Sequence, residues 1–217
     1  SLNVLLKGFF RKGDHVIVSS VEHNAVMRPL NALKARGVDF TRIMSNKNGV
    51  LSAEAIVSGI KPNTKGVVMT HASNVSGMIL PLEKVGEICK KNRLKFIIDA
   101  AQTAGVISVN FQKLSADAIA FTGHKSLLGP QGVGGFLITN QLADQMFTFI
   151  EGGTGSLSDH EIQPHYMPDK FEAGTQNMPG IYGLNAALKY IMKEGTETLH
   201  HKEMALMEIF LEALMNM

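Results

Sequence analysis

Cysteine is almost missing from this chain: Cys89 is the only thiol. One cysteine cannot close an internal disulfide, so packing alone must hold the fold, and a reducing cytoplasm suits it. Long apolar runs are missing as well. Crossing a bilayer takes a run of about 18 apolar residues or more, and none occurs. Residues 1–8, SLNVLLKG, read as part of a helix and not as a secretory leader. Charge of one sign is scarce. A formal net charge of +2 is too small for a nucleic-acid or polyanion surface. The one dense basic cluster, Lys90, Lys91, Arg93 and Lys95, reads as a solvated helix end. Internal repeats and low-complexity segments are absent. Two nucleotide-binding loops are also excluded. Gly123-His124-Lys125-Ser126 lacks the spaced glycines of a P-loop. Glycines 129, 132, 134 and 135 lead into the apolar run Phe136-Leu137-Ile138, whereas a dinucleotide fingerprint opens a helix.

What is present is a strand-helix alternation. At 217 residues and 45% hydrophobic content, the chain can bury the core of one large domain or one and a half. β-branched and apolar runs predict strands over 15–18, 38–44, 66–70, 95–98, 116–121 and 135–138. Helical spacing predicts helices over 24–36, stopped by Gly37, over 52–60, capped by Ser52, and over 81–92, opened by Pro81. Two more helices, 181–192 and 198–214, form the tail. Between them, 152–158 (GGTGSLS) begins a loop that runs to about Pro168. Such alternation implies an α/β fold of three layers, a mainly parallel sheet with helices on both faces. The chain starts without Met and stops in mid-pattern at Met215-Asn216-Met217. It is therefore expected to be a piece of a longer protein.

In such sheets ligands sit beyond the carboxyl ends of the strands. The residues just past those ends include Glu22 and His23, His71 and Asn74, Asp99 and Gln102, and Thr122, His124 and Lys125. Lys125 has two readings. It is a solvated surface residue, or apolar walls disfavour its ammonium form and make it a nucleophile. Asp99 follows Phe96-Ile97-Ile98 and should be desolvated. It either caps the next turn or holds a protonated ring nitrogen. A lysine paired with such an acid is what pyridoxal phosphate (PLP) demands. Thr122 and His124 could bind its phosphate, Gln102 its phenolic oxygen, and His23 could stack on the ring. A metal is disfavoured, because His23, His71 and His124 lie on separate tips and His200 and His201 are adjacent. His15, His160 and His165 are read as structural or solvated, and Cys89 as helix packing.

The segments GDHVIVSSVEHNA, IIDAAQTAG, FTGHKSLLGPQGVGG and KFEAGTQN resemble the class V aminotransferase family of PLP enzymes. The resemblance is to its cysteine desulfurase and selenocysteine lyase branch and covers about residues 13–188. It implies the fold type I PLP-dependent transferase large domain over 1–195. Residues 196–217 would start a helical connection to a small domain. Lys125 would be the Schiff-base lysine, with Asp99 on the pyridine nitrogen, Gln102 on the phenolic oxygen and His23 on the ring. Asn74 would lie near the substrate carboxylate, and Thr122 and His124 at the phosphate. Thr175 would reach the phosphate of the other subunit in a homodimer. Lys170 stands where the family has arginine and cannot make its two-pronged contact. The function implied is cysteine desulfuration, with cysteine as substrate and a possible sulfur-acceptor protein, and neither nucleic acid nor membrane as a partner. An aminotransferase, epimerase, selenocysteine lyase or non-catalytic module remains the alternative. The family's sulfur-accepting cysteine and substrate-binding arginine have no counterpart within 1–217, and its threonine loop would precede Ser1. The fragment alone is expected to be inactive.

Overall fold

The computed structural model describes residues 1–46 and 50–217. It opens with helix α1 (Leu2–Phe9), which buries Leu5, Leu6 and Phe9. Strand β1 (His15–Ser19) follows, then α2 (Asn24–Lys34), β2 (Asp39–Ile43), the single turn α3 (Ala55–Ser58) and β3 (Thr64–Thr70). Next come α4 (Leu82–Lys91), β4 (Lys95–Asp99), β5 (Ala118–Thr122) and β6 (Gly134–Ile138). Three helices complete the order: α5 (Asn140–Gln145), α6 (Met178–Glu194) and α7 (Thr196–Met215).

The six strands form one sheet in the order β2-β1-β3-β4-β5-β6. All neighbours are parallel except β5 and β6, which pair antiparallel. Strand side chains alternate between faces, and the core divides accordingly. Val16, Val18, Val68, Ile97 and Ala120 pack with α1 and α2 on one face. Ile17, Val67, Met69, Phe96, Ile98 and Ile119 pack with α3 and α4 on the other. This is the three-layer arrangement expected from the alternation. His15 is fully buried between Thr41 and Thr64, each hydroxyl 2.8 Å from a ring nitrogen, so it is structural.

Most expected elements are displaced by only a residue or two. At the end of α2, Gly37 takes φ +91°, a left-handed turn that a side chain would resist. The amide of Val38 then bonds back to the Leu33 carbonyl. The expected helix over 52–60 shrinks to one turn. Ser52 does not cap it, because its hydroxyl donates to the Glu54 carboxylate. The amides of 55–57 bond three residues back, so the segment closes as tight turns. Helix α5 was not expected. Thr139 caps it by accepting from the Leu142 amide at 3.2 Å. Helix α7 buries none of its residues.

Candidate functional site

Because β4 and β5 are neighbours, their tips lie side by side, with the β1 tip on the same end of the sheet. Between them is a cleft of about 730 Å³, within the range of small-molecule pockets. His23, Asp99, Thr122, His124 and Lys125 all line it, beside Ala101, Phe121 and Val133. The amino end of α1 and Gly132 to Gly134 complete the rim.

Asp99 ends β4 and is only 4% exposed. Its Oδ1 accepts from the Ala101 amide at 3.0 Å, so it does cap the turn that follows. Oδ2 makes no hydrogen bond among the described residues and is left to the cleft. Two further bonds fix the main chain here. The Asp99 carbonyl accepts from the His71 amide at 2.9 Å, and the Ala100 amide bonds to the Ala120 carbonyl. Burial pushes the Asp99 carboxyl above its usual range, while the charges of Lys125 and His23 pull it back. All three line the one cleft.

Lys125 is half-buried in the β5–β6 connection. That loop is pinned by the Gly123 amide on the Val133 carbonyl and the Gly129 amide on the Gly123 carbonyl, both 2.8 Å. Its surroundings are mixed, and not the apolar walls expected of it: Phe121 and Val133 on one hand, Asp99 on the other. Thr122 Oγ1 and His124 Nδ1 lie 3.0 Å apart at the cleft mouth. His23 is the N-cap of α2, its Nδ1 accepting from the Ala25 amide at 3.1 Å. In the neutral ring the proton is then on Nε2.

Three other sequence-selected residues lie outside the cleft lining. Asn74 is exposed in the turn after β3, and Gln102 is half-buried in the turn after Asp99. Thr175 is exposed before α6. His71 is buried, with Nδ1 3.0 Å from Thr103 Oγ1, and so ties the β3 tip to the turn carrying Asp99 and Gln102. Lys170 is buried and donates to the Ala143 carbonyl at 2.7 Å, one contact where a fork would make two. Cys89 is 1% exposed, and burial pushes its thiol up to about 12. Among the described residues no three His, Cys, Asp or Glu side chains gather as metal ligands do. No described helix is long and apolar enough to cross a membrane.

Sequence reasoning passed over Glu22. Part of this residue reaches the surface, but its carboxyl is enclosed and is pushed up to about 7, chiefly by burial. Its position beside His23 at a strand tip was the available signal. A second cleft of about 480 Å³ lies between the start of α4 and the segment 107–114. Its charged rim is the Glu83–Lys113 ion pair at 2.8 Å together with Lys84. The facing amine and acid lie at the strand tips instead.

A cleft beyond the carboxyl ends of parallel strands, lined by both a lysine and a buried carboxyl, is where α/β domains of this kind bind ligands. The chain belongs to the class V aminotransferase family, whose model matches residues 1–217. It is 34% identical over 221 residues to a probable cysteine desulfurase of Pyrococcus abyssi, covering 99% of this chain and 55% of that protein. The apo structure of a cysteine desulfurase from Thermococcus onnurineus NA1 superposes with TM-score 0.89 at 32% identity, over 99% of this chain and 55% of that one. A C-DES mutant with glycine covalently linked to the PLP cofactor superposes with TM-score 0.80 at 25% identity, over 92% and 55%. The chain thus spans about half the length of the relatives it matches. Its fold is that of the type I PLP-dependent transferases.

Proposed function

We propose that the full-length protein is a PLP-dependent cysteine desulfurase-like enzyme, which converts cysteine to alanine and passes the sulfur to an enzyme cysteine. The observation that carries this reading is Asp99, a residue only 4% exposed whose Oδ2, without a hydrogen bond among the described residues, is open to the cleft that Lys125 also lines. A carboxylate with one oxygen free of hydrogen bonds suits a cationic ring N–H. The donor set fits the cofactor: an amine, a carboxyl, an imidazole and a hydroxyl around a cleft of small-molecule size. When bound, PLP supplies an electron sink for the pair left at a substrate Cα.

The chain's own residues have distinct tasks. Asp99 would hold the ring nitrogen protonated. Lys125 would carry the cofactor and move the Cα proton. His23 would stack on the ring, and Thr122 and His124 would take the phosphate. Gln102 would reach the ring oxygen and Asn74 the substrate carboxylate. Thr175 would serve the site of a second copy in a homodimer. Residues 1–195 are read as the cofactor-binding unit and 196–217 as a helical connection, in keeping with an α7 that buries nothing. A cytoplasmic setting and a sulfur-acceptor protein belong to the same reading.

Borohydride reduction of the full-length protein with PLP, followed by peptide mapping, tests it. Label should fall on Lys125, and Lys125→Ala should abolish both the label and cysteine-dependent alanine formation. Label on another lysine would overturn the assignment.

A further inference from the structure

The second cleft, between the start of α4 and the segment 107–114, has no task in the reading above. At about 480 Å³ it is large enough for a small molecule. Its walls are chiefly apolar: Leu80, Leu82, Ile107 and Leu114. One polar side chain of the core opens into it. His71 lines the cleft and is only 6% exposed. Its Nδ1 is engaged by Thr103 Oγ1 at 3.0 Å, and its Nε2 makes no hydrogen bond among the described residues. No side-chain nitrogen among those residues is both sealed from solvent and unpaired, so Nε2 is open to the cleft. Whether it donates or accepts follows the tautomer, and a hydroxyl serves either.

The rim carries the opposite kind of signal. Lys113 pairs with Glu83 at 2.8 Å, while Lys84 makes no ion pair among the described residues. Helix α4 adds to the same sign. It opens on Pro81 without a side-chain cap. The Leu82 amide bonds to the Leu80 carbonyl and the Val85 amide to the Pro81 carbonyl, which leaves the amides of Glu83 and Lys84 without an acceptor among the described residues. Such amides and the helix dipole attract negative charge. Two amines against one carboxylate favour an anion here. A metal ion is a poor fit, since Glu83 is the only acid in the lining and His71 the only histidine.

We propose that this cleft is a second binding site, for a small hydroxylated carboxylate with an apolar body. The carboxylate is held at the rim by Lys84, Lys113 and the start of α4. The body lies against Leu82, Ile107 and Leu114, and the hydroxyl pairs with His71 Nε2. Each of the three parts answers one feature of the lining: cationic rim, apolar wall and single open ring nitrogen.

The test is calorimetric titration of the full-length protein, without PLP, with 3-(4-hydroxyphenyl)propionate. A Kd of about 1 mM or below is expected for a ligand of this size. The uncharged 3-(4-hydroxyphenyl)propionamide, and the charge reversals Lys84→Glu and Lys113→Glu, should each weaken binding about tenfold. Ser108→Trp, at an exposed lining residue, should block the cleft and abolish it. Lys125→Ala, a change in the other cleft, should bind as wild type does. No saturable binding up to about 10 mM would overturn the inference. So would equal binding by the amide, binding untouched by the rim variants, or binding lost in Lys125→Ala but kept in Ser108→Trp. Should the variants fail to fold, hydrogen exchange of wild type decides. The amides of Glu83 and Lys84 must exchange more slowly with the carboxylate bound, and unchanged exchange there overturns the proposal.

Discussion

Replacing Glu22 with Gln should change how stability depends on pH, even without cofactor. The side chain keeps its volume and can still accept from the Thr70 amide, but it no longer titrates. In the folded protein burial raises the Glu22 carboxyl from 4.5 to about 7. A raised acid binds its proton more tightly folded than unfolded. Its stabilising contribution is therefore complete below about pH 4.5 and is lost as pH rises through about 7. At roughly 1.4 kcal/mol per pH unit, the gap from 4.5 to about 7 is worth about 3 kcal/mol, of which about 2 is lost by pH 6. For a domain of this size that is roughly 6–12 °C in Tm. The assay is denaturant unfolding of both full-length proteins without PLP, at half-unit steps from pH 4 to 9. Wild-type stability minus that of the Gln variant should fall by about this amount across the range. Parallel curves, or a difference that grows with pH, would refute the claim that this carboxyl is desolvated.

Three further outcomes are expected. Asp99→Asn keeps the acceptor for the Ala101 amide but loses the charge facing the cleft, so PLP should still bind while turnover falls about a hundredfold or more. Near-normal turnover would dismiss the role given to Asp99. Gly105 has φ +101°, and an added Cβ would stand 2.2 Å from the Ser126 carbonyl oxygen, next to Lys125. Gly105→Ala should cost about 1–3 kcal/mol in strain alone and weaken PLP binding by shifting the Lys125 loop; unfolding and PLP titrations that match wild type would contradict this. Cys89, with its thiol at about 12, should resist a thiol reagent at pH 8 until the protein is unfolded, as mass mapping would show; native labelling as fast as a free thiol's would count against its burial.

The sequence by itself determined the elements and the chemistry they carry. Consecutive apolar residues such as Val16-Ile17-Val18 suit a strand covered on both faces, since successive side chains point to opposite sides. Gly37 stops α2 because its backbone turns left-handed there. Asp99 and Lys125 were marked by their places just past apolar runs, since a period of two is written locally. The tertiary structure decided what lies near what. Strand order makes β4 and β5 neighbours and so brings Asp99 and Lys125 to one cleft, a non-local fact that no spacing encodes. It leaves Asn74 and Gln102 off the lining. It also turned Glu22 from a strand-tip acid into an enclosed one on the Thr70 amide. Desolvation belongs to the surroundings of a side chain, and those surroundings come from segments distant in the chain.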